Sequence, residues 1–379
     1  MAVVTIVGAG MMGSALAFPA AENKHEVRLV GTHLDREIIG TCKQENRHPK
    51  FTKTFPKGVK FYETEELETA LAGADAVIAG VSSFGVNWFA EYVIPKLADG
   101  TIVLSVTKGL LVDDEGEFET YPDFWRRAAE KLHKHISFNA VGGPCTSYEL
   151  VAHDQTEVAF CGGDEAVLSF LKSLLQTEYY HISLTSDVRG LEAAVALKNG
   201  YALGIALTVG VNKKKFGENS ELHYNSQAGI FFQAAKEMQK LLRLFNAREN
   251  SYYIGLGDLY VTVYGGRTRL VGILLGEGYT IDEAKEKLSG VTLESLVVIS
   301  RVAKAVKILI AKGILNAEDF PLLLLADEIL TEKYFLQEIP MKRIIWRHRK
   351  NSGRRDCLRS KKAIRFCSRH PAAENLKKQ

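Results

Sequence analysis

"TIVGAGMMGSALA", residues 5–17, decides the fold. A short apolar run ends at Gly8, and Gly8, Gly10 and Gly13 follow at G-x-G-x-x-G spacing before a helix-like stretch. In that spacing the first glycine permits a tight turn and the second lets the backbone approach a diphosphate. The third lets the helix pack close to the strand. The diphosphate then rests on free amides at the helix N-terminus, where the helix dipole favours negative charge. A lone glycine triplet is a weak signal, and the bland reading is a ligand-free turn. Placed at the first strand–turn–helix unit of the chain, it predicts a dinucleotide site.

The surrounding pattern agrees. "VVTIVG" (3–8), "HEVRLVG" (25–31), "DAVIAGVS" (75–82), "TIVLSVT" (101–107) and "ISFNAVGG" (136–143) read as strands separated by room for crossovers. Continuous apolar runs of this kind suit a parallel sheet covered on both faces. "TEVAFCGG" (156–163) and "YYHISLT" (179–185), around a helix near 164–175, extend the sheet. The prediction is an α/β, doubly wound Rossmann-type domain over residues 1–185. After Thr185 the period changes. Asp187 is placed to cap a long helix, and helical segments follow near 225–245, 267–276, 281–288, 294–312 and 319–331. Residues 186–340 therefore read as an all-helical domain, and 341–379 as a basic tail.

Composition bounds the rest. The chain has 379 residues, 46% hydrophobic and 25% charged, which suits two globular domains. No charge-free apolar run of about 18 residues occurs, so no membrane span is expected. The N-terminus lacks the pattern of a secretory signal. Cys42, Cys145, Cys161, Cys357 and Cys367 form no C-x-x-C pair and no disulfide framework. A reduced, cytoplasmic setting follows. Residues 341–379 hold 14 of the 48 Lys and Arg but 2 of the 45 acids, a net +12, which leaves −9 on the remainder. A body this acidic is not built to bind nucleic acid. The tail has the charge for a polyanion, but its composition reads as a poorly ordered extension.

Two stretches carry chemistry. "EAAVALKNGYALGIALTVGV" (192–211) is almost wholly small and apolar apart from the lysine and asparagine at its centre, Lys198 and Asn199. A helix apolar on every face is a core helix, and an ammonium in its middle carries a desolvation cost. An isolated lysine would snorkel to the nearest edge, but Ala193 to Leu197 and Tyr201 to Leu207 leave little polar surface to reach. Burial disfavours the charged form of a lysine and a neighbouring carboxylate favours it, so together they tune a proton donor. The second stretch is "GLGDLYVTVYGGRTRLVG" (255–272). Arg267 and Arg269 beside Gly265 and Gly266 offer forked donors to an anion, or are surface arginines at a helix start. Asp258 is either a helix cap or the partner of a buried cation. Lys108, in "SVTKGLL", follows the strand "TIVLSVT" at its carboxyl end, where open α/β sheets bind ligands. The cofactor choice stays open. The second strand ends "LVGTHLDR", with Thr32 and His33 where an acid would mark NAD, Asp35 further along, and Arg36 suited to the extra phosphate of NADP.

These pieces, in order, resemble the NAD(P)-dependent glycerol-3-phosphate dehydrogenases in their archaeal type: Gly8–Gly13, "SVTKGL", "GGP", "ALKN" and "GLGDLYVT-x-x-GGRTR", over about residues 1–335. The resemblance implies a Rossmann domain with an added antiparallel edge, a helical domain and a homodimer. It implies interconversion of dihydroxyacetone phosphate and sn-glycerol 3-phosphate with NAD or NADP and no metal. It makes Lys198 the proton-transfer residue and Asp258 its acidic neighbour. Lys108, Asn199 and Thr262 hold or polarise the substrate, with Gly143 beside them, and Arg267 grips the phosphate. Met11 and Met12 contact the cofactor, as do Thr32, Lys108, Ser147, Arg267 and Glu294. Two departures stand out. Thr268 replaces the family's usual asparagine after Arg267, which alters one phosphate or cofactor contact. Past residue 335 nothing matches, and the abrupt basic composition also suits a reading-frame change.

The nearest rival is another two-domain reductase with a helix-borne lysine, such as a ketopantoate or hydroxy-acid reductase. "KGL" and "GGRTR" disfavour it, because they resemble phosphate-holding parts. A non-catalytic dinucleotide sensor with a basic interaction tail is disfavoured by Lys198, Asp258 and Arg267, since a sensor needs no proton donor.

Overall fold

The computed structural model describes residues 1–219, 223–289 and 293–331. The expected basic tail, 341–379, lies outside the described residues. Ten strands are described: β1 (Val3–Val7), β2 (Glu26–Val30), β3 (Val59–Tyr62), β4 (Ala76–Ala79), β5 (Ile102–Ser105), β6 (Leu110–Val112), β7 (Phe118–Thr120), β8 (Ser137–Gly142), β9 (Thr156–Cys161) and β10 (Tyr180–Thr185). Eight form one sheet in the order β10-β9-β8-β5-β4-β1-β2-β3, and β6 pairs with β7. All the described pairings in the large sheet are parallel except β8 with β9. Six adjacent strands, β3-β2-β1-β4-β5-β8, reproduce the doubly wound dinucleotide-binding order, in which the chain reverses direction across the sheet between β1 and β4.

Helices α1 (Met11–Glu22), α2 (Arg36–Glu45), α3 (Leu67–Leu71), α4 (Val86–Trp88), α5 (Tyr121–Lys131), α6 (Ser147–Ala152) and α7 (Glu165–Leu175) accompany the sheet. Its core is continuous: Val4, Ile6, Leu16, Phe18, Leu29, Ile78, Leu104 and Phe160 are all at most 1% exposed. β3 went unread in the sequence, because "VKFY" is an edge strand with no fully buried residue and so no apolar run to signal it.

The chain divides into two compact units. The first comprises Met1–Gly109 and Glu119–Val195, the second Leu110–Phe118 and everything from Ala196 onward. The division thus falls inside a helix, α8 (Val188–Phe216), ten residues past the boundary read at 185. The cause is local. A β-carbon on Gly142 at the end of β8 would lie 2.8 Å from the Leu191 side chain and 2.9 Å from that of Val195, so the first turns of α8 pack on the sheet. Asp187 caps α8 as expected, its carboxylate accepting from the Gly190 amide at 3.0 Å, an interaction worth about 1 kcal/mol. α8 is long and apolar enough to cross a membrane, but 89% of that apolar window is buried inside the protein, which makes it a core helix.

The second unit is helical: the rest of α8, then α9 (Tyr224–Leu244), α10 (Glu249–Gly265), α11 (Arg267–Glu277), α12 (Ile281–Lys287), α13 (Glu294–Ala311) and α14 (Pro321–Thr331). To these it adds the segment Leu110–Phe118 from earlier in the chain. Arg301 of α13 donates to the Leu110 carbonyl at 3.4 Å, and Lys304 and Lys312 pair with Asp114 and Glu115 at 2.8 and 2.6 Å. α8 and α11 meet backbone to backbone. A β-carbon at Gly210 would lie 2.0 Å from the Ile273 carbonyl oxygen, and one at Gly276 2.3 Å from that of Leu207. The first turn of α14 is held by a buried carboxylate, Glu237 of α9, which accepts from the amides of Leu322 and Leu323 at 2.8 and 3.0 Å. Burial pushes Glu237 up to about 7, although these bonds and one from Gln233 pull the other way.

Candidate active site

In the first unit the glycine turn joins β1 to α1. Gly8 has φ +113°, which favours glycine, and a β-carbon there would lie 2.7 Å from the Gly80 carbonyl group. At Gly13 it would sit 2.3 Å from the Gly8 carbonyl oxygen. Both glycines are demanded by the protein's own packing. Gly10 is different, since a β-carbon there would meet only the Gly80 carbonyl oxygen, at 3.9 Å. Gly10 is also the N-cap of α1, with no side-chain cap and no acid in the first turn. The first amides of a helix have no intrahelical acceptor, so this end suits an anion. The turn therefore fits a dinucleotide diphosphate. Met11 and Met12 open α1, half-buried against the sheet core.

Asp35 folds back onto this turn. Its Oδ2 accepts from the Ala9 amide at 3.2 Å, and from the Thr32 amide and hydroxyl at 2.9 and 2.8 Å. Thr32 is thereby tied to the glycine turn through Asp35, the acid that stands further along the sequence than the position that would mark NAD. Arg36 is exposed and pairs with Glu65.

Lys108 follows β5 and donates to the Gly143 carbonyl at 3.0 Å. Gly143 follows β8 and has φ +136°, and a β-carbon there would lie 3.0 Å from the Val158 Cα. Only glycine turns its carbonyl this way comfortably. Ser147 is buried at the start of α6. Near Lys108 lies a residue the sequence reading passed over, Glu192 of α8. It is fully buried, and neither carboxyl oxygen has a hydrogen-bond partner among the described residues. Burial pushes it up to about 8, Lys108 pulls it down and Asp123 adds to the rise. The signal was available, since Glu192 is a charged side chain in the same apolar run that singles out Lys198.

In the second unit Lys198 of α8 pairs with Asp258 of α10. The two residues are 8% and 1% exposed, so this is a buried ion pair. Asp258 is not a helix cap. It lies inside α10, a helix missed in the sequence because Gly255, Gly257 and the β-branched Val261, Thr262 and Val263 are poor helix formers. Thr262, one turn on, donates its hydroxyl to the Asp258 carbonyl at 2.7 Å. Asn199 is half-buried on α8. α10 ends at Gly265 and α11 begins at Arg267, with Gly266 at the joint. A β-carbon on Gly266 would lie 2.6 Å from the Thr262 carbonyl oxygen. This tight corner leaves Arg267 exposed at the first position of α11 and Thr268 buried behind it. Glu294 opens α13; its side chain lies outside what is described. Among the described residues, no group of three or more His, Cys, Asp or Glu is placed to hold a metal ion.

A doubly wound domain with a phosphate-cradling turn, followed by a helical unit holding a buried lysine–carboxylate pair, defines a nicotinamide-dependent dehydrogenase. The chain matches the NAD-dependent glycerol-3-phosphate dehydrogenase N-terminus over residues 3–167 and the corresponding C-terminus over 187–341. It belongs to that family and is an oxidoreductase. It is 36% identical over 289 residues to an NADP(+)-dependent glycerol-3-phosphate dehydrogenase of Archaeoglobus fulgidus, spanning 76% of this chain and 83% of that one. A glycerol-3-phosphate dehydrogenase [NAD(P)+] of Leuconostoc citreum is 27% identical over 306 residues, 78% of this chain and 85% of that one. The crystal structure of a glycerol-3-phosphate dehydrogenase from Coxiella burnetii shares the fold, with a TM-score of 0.72 at 21% identity over 97% of this chain and 99% of that one.

Proposed function

We propose that the chain interconverts dihydroxyacetone phosphate and sn-glycerol 3-phosphate, with Lys198 moving the proton and Arg267 holding the substrate phosphate. The bound dinucleotide supplies or accepts the hydride. Reduction of a ketone builds negative charge on its oxygen, and that charge has to be stabilised and then protonated. The Lys198 ammonium does both. In the reverse direction its neutral amine takes the proton from the hydroxyl. Asp258 keeps Lys198 charged and aimed, and the Thr262 bond to the Asp258 carbonyl steadies that stretch of α10. Lys108, anchored on Gly143, and Asn199 orient the substrate oxygens. Arg267 presents a fork of donors that a phosphate accepts through two oxygens, with Thr268 behind it. The diphosphate lies on the turn from Gly8 to Gly13, beside Met11, Met12 and Thr32. Ser147, Lys108, Arg267 and Glu294 complete the cofactor contacts.

The observation that carries this reading is the buried Lys198–Asp258 pair. A buried ion pair is poor value for stability, because apolar residues of similar volume serve at least as well. Its retention in an apolar helix calls for a use of the charge. The test is loss of the nicotinamide absorbance band on adding dihydroxyacetone phosphate with NADH or NADPH. Turnover that survives Lys198→Met would overturn the assignment, and no turnover by the unaltered chain would overturn the reaction.

A further inference from the structure

Glu192 is used by nothing in the mechanism above. Its carboxyl is buried on α8 without a hydrogen-bond partner for either oxygen among the described residues, an arrangement that costs on the order of 1–3 kcal/mol for a neutral group and more for a charged one. Its helical neighbours Leu191 and Val195 press on the backbone of Gly142. The next carbonyl along, that of Gly143, is the one that accepts from the Lys108 ammonium. Glu192 thus occupies the helix turn seated on the strand end where Lys108 is anchored.

We propose that Glu192 is a positioning residue for Lys108, and that its protonation state sets how much of the Lys108 charge reaches the substrate. This rests on the reading of Lys108 as a substrate-holding group. Lys108, from the loop after β5, favours the ionised form of Glu192, and Asp123 of α5 opposes it. Cys161 on β9 is itself raised well above its usual value by burial and then by Glu192. Arg189, Lys198, Lys213 to Lys215 and the capping Asp187 are the other charged groups on or next to the same helix. With the carboxyl protonated, Lys108 faces the substrate as a full positive charge. When Glu192 gives its proton to solvent, the new carboxylate claims that charge and the substrate loses a charge-assisted contact. The titration falls near 8, above the second ionisation of a phosphate monoester near 6, so the substrate's own charge is constant across it.

The test is KM and kcat for dihydroxyacetone phosphate from pH 7 to 9.5, in the unaltered enzyme, Glu192→Gln and Lys108→Met. The expected KM of the unaltered enzyme rises about tenfold as pH passes 8, the weight of turning a charge-assisted hydrogen bond into a neutral one. In Glu192→Gln that rise is absent, while any alkaline fall in kcat due to Lys198 remains. Glu192→Met, similar in length and uncharged, should give the same flat KM and replaces the glutamine variant if that one fails to fold. A KM that stays flat in the unaltered enzyme, or a rise that persists in the variants, overturns the proposal. A purely structural Glu192 would shift only the unfolding temperature. If instead Lys108→Met leaves KM unaltered, the underlying reading of Lys108 is what fails.

Discussion

At the glycine turn, folding and binding ask for the same residues; at Lys198 and Asp258 they ask for opposite ones. Gly8 and Gly13 are fixed by backbone atoms 2.3–2.7 Å from where a β-carbon would sit. Any larger residue damages the domain before it damages a ligand site. The buried pair reverses this, because the surrounding helix would pack as well or better around two apolar side chains. A motif serving both ends looks like a motif in the sequence, whereas a residue kept against the interest of packing looks like an anomaly.

The contrast is broken most directly by converting the pair to apolar residues. Lys198→Met should lower turnover by at least about 10²–10⁴-fold. The double variant Lys198→Met, Asp258→Leu should be equally inactive and as stable as the parent, or more stable by roughly 1–4 kcal/mol. Thermal unfolding and steady-state rates on the same preparations check this. A large drop in Tm for the double variant would mean that the charges serve the fold after all.

The glycines give the next largest effect. Gly10→Val should fold normally and lose most of its dinucleotide affinity by titration calorimetry. Gly13→Ala should cost on the order of 1–3 kcal/mol of stability through overpacking. If the two variants behaved alike, the separation between a glycine kept for the ligand and one kept for the fold would be lost. Arg267→Lys is the finer probe. It keeps the charge and removes the fork, so kcat/KM on dihydroxyacetone phosphate should fall about tenfold. Unphosphorylated dihydroxyacetone, a poor substrate for both enzymes, should lose much less. Equal losses would give Arg267 to the fold or the cofactor.

Glu237 has the smallest effect on turnover and is a different kind of buried charge, one with a structural task. Its folded-state value near 7 lies above the ordinary carboxyl value of 4.5, so the native state holds more protons than the unfolded chain between those limits. Stability should therefore fall as pH rises from about 4.5 to 7, by no more than about 1.4 kcal/mol per pH unit, and level off above. Glu237→Gln, whose single amide oxygen still accepts from one of the two α14 amides, should flatten that slope in urea titrations.

The legible parts of the sequence share one property: local pattern and tertiary use coincide. β1, β4, β5, β8 and β9 are largely apolar because both faces of the sheet are covered there, and β2 and β10 keep enough apolar residues to read as strands. α9 and α11 to α14 keep apolar residues at helical spacing. β3 and β7 are only four and three residues long and carry polar side chains, and β6 is three apolar residues, so no period forms. α10 was hidden by its glycines and β-branched residues, whose helical state is imposed by packing. At the candidate site Lys198 stood out from its background, yet nothing local tied it to Asp258, 60 positions away. Glu192, near the start of α8, drew no reading from the sequence. Only the buried setting around β8 singles it out.

The segment Leu110–Phe118 belongs by its contacts to the helical unit, although it leaves the ribosome amid the strands of the first. Its anchor Arg301 emerges 191 residues after Leu110. At a synthesis rate of about 5–20 residues per second, that gap lasts on the order of 10–40 s. During this interval the large sheet can assemble around a loop whose docking partner has yet to be made. A fragment cut at residue 185 would hold that loop in the same waiting state indefinitely, without the α13 lysines that neutralise Asp114 and Glu115. Dissecting this enzyme into its halves therefore calls for moving nine residues from one piece to the other.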